Sequence, residues 1–389
     1  MCNAKTNLEN VTFLGLLFFV GALQISIAIS AILLTIILLL WLVLIIREKE
    51  LPKFPIIFWP LLAYAAVTMV SVVASTDPMA SLFDSKEILL FLVVPLVYRL
   101  ARGESASAIA TTIISVGGAA AIYGIVQYGI LNYDNLGQRP QGSMGHYMTF
   151  SGLLMLVICL ATARVLFDRK NRTWSSLVLP ALIVALTLTF TRSAWVGACA
   201  GISLLFVLKD FRLIAVIPIL AAAFFVVAPE GITERVYSMF DLQDPTNRDR
   251  VAMARIGVRM VSDHPLTGVG PDMVKELYSN YRDETAVNET NPHLHNVPLH
   301  IAAERGLPAL GIWLWFIAVV IIQLARIFKD PLARPLAAGG LAAIASMLSA
   351  GMFEYNFGDS EFLMLLLVLI TLPAAITNLY PSSKQETHS

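Results

Sequence analysis

The run AILLTIILLLWLVLII, Ala31 to Ile46, carries no charged side chain, and LIAVIPILAAAFFVVA, Leu213 to Ala228, repeats the pattern. A backbone crosses lipid only if its own amides and carbonyls pair within the protein, which limits a spanning segment to a helix or a closed barrel. Barrel strands would appear as short alternating segments, and the sequence shows none, so helices are the expected element. A mean hydropathy of +0.73, with 57% hydrophobic and 14% charged residues, extends that expectation to the whole chain. An ordinary soluble globule is excluded.

A membrane span needs about 20 apolar residues, and on that measure the chain divides into roughly twelve spans. They fall at 11–26, 28–46, 55–75, 86–98, 107–131, 147–167, 174–190, 193–208, 212–228, 307–326, 335–353 and 361–379. As one helix, Val11 to Ile46 would measure about 54 Å at 1.5 Å per residue against a core of roughly 30 Å, so a tight hairpin broken between Gly21 and Ser30 is expected. The fold class is thus all-α: a polytopic membrane protein with membrane helices over 1–228 and 307–380. Between them lies one long polar loop, 229–306, containing short helices, and a tail follows at 381–389. Lys5 leads into the first apolar run without a small-residue cleavage site, so the first helix is expected to be retained. Cys2, Cys159 and Cys199 avoid the polar loop, and no disulfide is expected.

Cytoplasmic loops collect Lys and Arg. Placing both termini in the cytoplasm puts Arg47, Lys49, Lys53, Arg164, Arg169, Lys170 and Arg172 inside and leaves Lys86, Arg139 and Arg192 in the short outside loops. The long loop then faces outward, since long loops cross the membrane largely regardless of charge. It holds NPHLHNVPLH, Asn291 to His300, with three of the chain's 6 histidines. Asn296 suits an N-cap, with Pro298 in the first turn, Arg305 at the end, Gly306 as the stop and Pro308 beyond it. On that helix His293 lines up with His300 and Glu304, while His295 projects elsewhere, just before a positive helix end that favours an anion.

Histidine titrates near neutral pH, so His295 suits a base or donor at an anionic substrate; the plainer reading is a ring that satisfies backbone carbonyls. A zinc site from His293, His295 and His300 would need tetrahedral ligands, and neither HExxH nor a cysteine pair accompanies them, so no metal is expected. The acidic DSE at 359–361 resembles a carboxylate pair for a divalent ion, and a solvated loop end explains it more simply. In NRDRVAMARIGVRMVSDHPLTGVG, Asn247 to Gly270, Arg248, Arg255 and Arg259 share a helix face within about 40°. Arg250 lies nearly opposite, among Met253, Ala254, Gly257 and Val261. A cation on an apolar face needs a partner: a phosphate held in two parallel bonds, or an acid such as Asp263, Asp272 or Glu304. In TFTRSAWVGA, Thr189 to Ala198, Arg192 stands at the outer boundary between two apolar runs, placed either to snorkel beside Trp195 or to meet a lipid-linked phosphate. Arg139, in QRPQGSMGH of the preceding outer loop, is a further candidate for that phosphate.

TRSAWVGA, then Arg250 and Arg255 leading into DHPLTGVGP, then HLHNVPLHIAAERGLPALG, stand in the order that resembles the O-antigen ligase and polymerase superfamily of bacterial envelope glycosyltransferases. The resemblance covers about residues 139–312, with one departure: Ala254 stands where related sequences often carry tryptophan. It implies an undecaprenyl-diphosphate-linked glycan as donor, no cofactor and no metal, and a bacterial inner-membrane location with the active site in the periplasm. Arg192 and Arg250 correspond to arginines that hold the donor diphosphate, with Arg139 beside them. His295 corresponds to the catalytic histidine and Glu304 to the motif's acid, while Arg255, His293, Asn296 and His300 support the site. A diphosphate is a good leaving group, so the chemistry requires cations for the developing charge and a base for the acceptor hydroxyl.

The resemblance ranks transfer to lipid A-core, an O-antigen ligase, first. Polymerisation onto another repeat ranks second and transfer to a protein side chain third, because the chain ends about ten residues past its last span. A transporter or flippase would place charge near the midplane on broken helices. Pro95, Pro180 and Pro218 do interrupt spans, yet the polar candidates gather outside. The expected partners are the donor glycan, lipid A-core and membrane lipids, with no nucleic acid.

Overall fold

The computed structural model describes residues 7–49, 52–284 and 286–378, and among these it is helical throughout with no strand. Cys2 and the tail 381–389 lie outside the described residues. The first apolar stretch is a hairpin, α1 (Asn7–Ala22) and α2 (Ile27–Glu48). Ser26 caps α2 by accepting the Ile29 N–H, and buried Gln24 donates to the Ile113 carbonyl at 3.1 Å. The break therefore falls inside the expected Gly21–Ser30 window, where polar Gln24 and Ser26 satisfy a turn that the flanking leucines and isoleucines cannot.

Next along the chain come α3 (Phe58–Ala74), α4 (Pro78–Asp84), a 3₁₀ segment (Ser85–Leu92), α5 (Val93–Leu100), α6 (Glu104–Gly129), α7 (Tyr147–Phe167), α8 (Arg172–Leu188), α9 (Arg192–Lys209) and, after a 3₁₀ turn (Phe211–Ala215), α10 (Val216–Val227). Among the described residues, 6 helices are long and apolar enough to cross a membrane: α2, α6, α7, α9, α14 (Val297–Ile327) and α16 (Ser360–Thr377). Helices α1, α3 and α8 are apolar but shorter. The expected spans 86–98 and 212–228 are each divided between 3₁₀ and α winding. Pro95 and Pro218 stand in the first turn of the α-helix that each opens, where a missing N–H breaks no helical bond.

Between α10 and α14 the polar stretch folds into α11 (Glu230–Tyr237), α12 (Pro245–Asp263) and α13 (Met273–Tyr281), and α15 (Arg334–Ala350) separates the last two long apolar helices. The polar stretch has its own small core of Met253, Ile256, Met260, Met273, Val274, Tyr278 and Leu294. The main core joins α1–α3 and α5–α9 to α14–α16, and Ile32, Ile36, Leu39, Leu42 and Ile46 leave an apolar face of α2 exposed. Such a face is stable only where the surrounding medium is itself apolar.

Close packing between helices fixes the start of α9. A Cβ added at Gly197 would meet the Met155 sulfur at 2.2 Å and the Ser346 carbonyl at 2.8 Å, and one at Gly201 the Ser346 hydroxyl at 2.3 Å. Small residues thus bring α9 and α15 together, with Arg192 at the start of one beside the loop that leaves the other. Arg164 corrects the reading of that residue as a loop cation. It is buried in α7 and donates to Thr111 Oγ1 (2.7 Å) and the Ser107 carbonyl (2.8 Å), tying α7 to α6.

Candidate active site

Asp244 starts α12 by accepting the Thr246 and Asn247 N–H groups, and Pro245 occupies the first position. Met253, Ile256, Gly257 and Met260 form its buried face. A Cβ at Gly257 would sit 2.7 Å from both Leu294 Cδ1 and Leu299 Cδ2, so only glycine lets the histidine-bearing segment come this close. Asp249, which sequence reasoning passed over, fastens the same segment. Its carboxylate accepts from the N–H groups of Val287 and Asn288 (both 3.1 Å) and from the amides of Asn288 (2.7 Å) and Asn291 (3.2 Å).

The DHPLTGVG stretch docks on the far end of the short histidine helix. Val269 and Gly270 donate to the carbonyls of Ala303 and Glu304, both at 2.9 Å, and Leu307 donates to Pro265 at 2.8 Å. Gly306 breaks α14 with φ 80° and ψ 170°. The helix therefore runs from the Asn296 cap to Arg305 before the apolar part begins after Gly306, as its caps predict. Asn296 Oδ1 accepts the Leu299 N–H at 2.9 Å, its amide donates to Met352 O at 3.2 Å, and Val297 donates to Gly351 O at 2.7 Å. Those bonds draw the 351–354 loop against the histidines.

Glu354, absent from the candidates drawn from sequence, is the residue on which they converge. His295 Nδ1 lies 3.0 Å from each Glu354 oxygen, and His293 Nε2 lies 3.2 Å from Oε1. Burial raises the Glu354 carboxyl, but the hydrogen bonds and charges of the two histidines overcome this and hold it well below the usual carboxylate range. A charged acceptor at Nδ1 assigns the proton to that nitrogen and leaves Nε2 of His295 with a free lone pair. His295 has φ 48°, a left-handed backbone uncommon for non-glycine residues and concentrated at functional sites. Its side chain is 17% exposed and that of Glu354 12%, so both are only partly buried.

The histidine grouping differs from the expected one. His293 precedes the helix and pairs with His295 over Glu354, their rings 4.5 Å apart. His300 is buried instead beneath Tyr355, its Nε2 3.2 Å from Glu304 Oε1 and its Nδ1 accepting the Leu294 N–H. Glu304 also binds Arg305 at 2.6 Å, so this acid braces the helix from within. The zinc set drawn from sequence changes accordingly. His293, His295 and Glu354, not His300, place donor atoms within 4.8 Å of one another. At the DSE stretch, Asp359 caps α16 and bonds Thr149, and Glu361 accepts from Ser360, so each acid already has a local partner.

Four arginines lie close enough nearby for their charges to act on one another. Arg192 is buried. Its Nη1 donates to Ser238 O (2.9 Å) and Oγ (3.0 Å), and its Nη2 to Asp244 Oδ1 (3.3 Å) and Asn247 Oδ1 (3.2 Å). Arg139 lies over the Tyr147 ring at 4.3 Å and donates to Leu136 O at 3.1 Å. Arg235, unmarked by any motif, holds Asp244 at 4.0 Å, and its Nε is buried without a partner among the described residues. Burial, then the charges of Arg192 and Arg139, lower Arg235 to about 10, with Arg250 adding to the effect against Asp244. Arg250 likewise has a buried, unpartnered Nε; burial lowers its pKa, and Glu354 is the charge that most opposes this. The acids expected to pair with it, Asp263, Asp272 and Glu304, are not its partners. Arg255 and Arg248 are exposed on the other side of α12.

Mutual repulsion among the guanidinium groups, with Asp244 the shared acid, is a field that an anion relieves. Beside it stands a histidine with a free nitrogen backed by a carboxylate. No curated protein matches the chain. Arg192, Arg235, Arg250, His293 and His295 all fall within residues 177–314, the segment that matches the family model described as O-antigen ligase.

Proposed function

We propose that the protein is an O-antigen ligase. It moves a glycan from undecaprenyl diphosphate to a sugar hydroxyl of lipid A-core, at a periplasmic site in a bacterial inner membrane. The reading rests on one observation: the His295–Glu354 pair lies beside an arginine cluster that holds two buried Nε groups without partners among the described residues. Arg250, Arg235, Arg139 and Arg192 take the diphosphate and the charge that grows on it as the bond to the anomeric carbon breaks. Arg192 does so while bracing the start of α12 through Asp244 and Asn247.

His295 Nε2 accepts the acceptor hydroxyl's proton as its oxygen bonds the anomeric carbon, and undecaprenyl diphosphate departs from the opposite face with inversion. Glu354 holds Nδ1–H and balances the imidazolium that forms. In detergent, with undecaprenyl-linked glycan, lipid A-core and EDTA, His295→Ala is expected to lower transfer by roughly 10² to 10⁴ while remaining folded. Wild-type rates in that variant would sink the assignment.

A metal-assisted reading has its own observation, the His293, His295 and Glu354 donor set. Loss of transfer in EDTA, restored by a divalent ion, would select it. Longer undecaprenyl-linked chains without a lipid A-core product would select the polymerase. Translocation in vesicles without a new glycosidic bond would select a transporter.

A further inference from the structure

The protons that join His293 and His295 to Glu354 occupy a space that also fits a metal ion. Each of the three residues offers one donor atom, and these atoms lie within 4.8 Å of one another. His295 Nδ1 stands 3.0 Å from both Glu354 oxygens, and His293 Nε2 stands 3.2 Å from Oε1. Ligands on a tetrahedral zinc ion with bonds of about 2.0–2.1 Å stand about 3.3–3.4 Å apart, so these edges need to open by only a few tenths of an ångström. Two imidazoles and one carboxylate suit zinc and its late first-row neighbours, whereas magnesium prefers oxygen ligands and keeps its water. The Tyr355 N–H donates to Glu354 Oε1 at 3.1 Å, an outer bond of the kind that orients a ligating carboxylate. His293 is 28% exposed, and with Glu354 it lines a cavity of about 220 Å³, room enough for water as the fourth ligand. Asp359 lines the same cavity and adds negative charge that draws a cation in.

We propose that His293, His295 and Glu354 form an inhibitory zinc site, at which the ion switches glycosyl transfer off. The inhibitory half rests on the glycosyl-transfer reading above, while the site itself rests on the three donor atoms. Its logic lies in the two nitrogens of one ring. Without metal, His295 Nδ1 carries the proton that faces Glu354 and Nε2 keeps the lone pair that acts as base. Zinc takes the lone pair of Nδ1, so the neutral ring must carry its proton on Nε2. That nitrogen then has nothing left to accept the acceptor hydroxyl's proton. The exchange balances: zinc forms dative bonds to His295 Nδ1, His293 Nε2 and a Glu354 oxygen, and the two ring protons that faced the carboxylate pass through solvent to His295 Nε2 and His293 Nδ1. Two neutral rings release no net proton, and nothing is oxidised or reduced.

The test strips the detergent-purified full chain with EDTA, dialyses it and titrates it with zinc, cobalt or magnesium chloride. Stripped protein is expected to transfer glycan to lipid A-core, saturating zinc to lower that rate by roughly 10² to 10⁴, and added EDTA to restore it. Magnesium leaves the rate unchanged. Cobalt gives wild type the strong visible absorption of a four-coordinate site, and His293→Gln weakens the binding of cobalt and zinc by at least about tenfold, its inhibition being read against its own zinc-free rate. No response to zinc, or responses of equal potency in wild type and His293→Gln, overturns the site. Transfer that vanishes on stripping and returns with zinc overturns the inhibitory role and selects the metal-assisted reading. Wild type that transfers to no acceptor, with or without metal, overturns the function reading instead, and the cobalt absorption, which needs no turnover, still decides the site: equal spectra in wild type and His293→Gln overturn it.

Discussion

Glu354 keeps its charge at the cost of burial because two histidines donate to it, and that has a consequence in acid. A carboxylate whose folded pKa lies below its ordinary value near 4.5 stabilises the fold above that value, and the stabilisation drains away as pH falls toward the folded pKa. Melting temperatures of wild type should therefore drop steeply between pH of about 5 and 3, and Glu354→Gln should show a shallower acid limb from a lower plateau. Superimposable limbs would mean that the carboxylate is not ionised in the fold. Arg235 is the second residue to change. Arg235→Gln is expected to reduce kcat by roughly 10² to 10³ if its guanidinium meets the developing charge, while Arg255→Gln, exposed on the other side of α12, leaves kcat within a factor of about three. Equal losses in both would remove Arg235 from the proposed diphosphate site.

Whole elements are held in place by single backbone positions. Gly306 has φ 80°, and a Cβ there would lie 2.3 Å from the Leu266 carbonyl oxygen, so Gly306→Ala combines a left-handed strain with a clash against the DHPLTGVG loop. It should destabilise by about 1–3 kcal/mol, visible as a lower melting temperature and reduced abundance; a wild-type melt would show that the loop yields freely. Asp249 ties 287–291 to α12 through four bonds. Asp249→Asn replaces acceptor capacity with a donor beside two N–H groups, and hydrogen exchange across 286–295 should speed up while α7 and α16 stay protected. Unchanged exchange would place the loop's order elsewhere.

For the molecule as a whole, the expected orientation puts the polar stretch and its arginines outside. Leu242, exposed in that stretch, offers a test. In intact cells, Leu242→Cys should react with a membrane-impermeant maleimide applied from outside, above the background of the native cysteines. Reaction only after the inner membrane is opened would invert the orientation and move the donor to the cytoplasmic face.

Charge-free runs and cap residues were enough to determine the all-helical membrane class, the hairpin near Ser26 and the helix from Asn296 to Arg305, because hydropathy and capping act over a few neighbouring residues. The motif order likewise marked Arg192, Arg250 and His295 through resemblance. Tertiary structure alone decided which groups meet. Glu354 sits in a short loop with no pattern of its own, and Arg235 lies in a helix that carries no motif. Both reach the site only because small residues let α9 close on α15 and Asp244 draws α11 toward α12. Helix periodicity paired His293 with His300, whereas the fold paired it with His295, since His293 precedes the helix and its direction is set by a carboxylate 61 positions further along the chain. Spacing along one helix describes only that helix, while ion pairs across elements depend on how close the backbones pack.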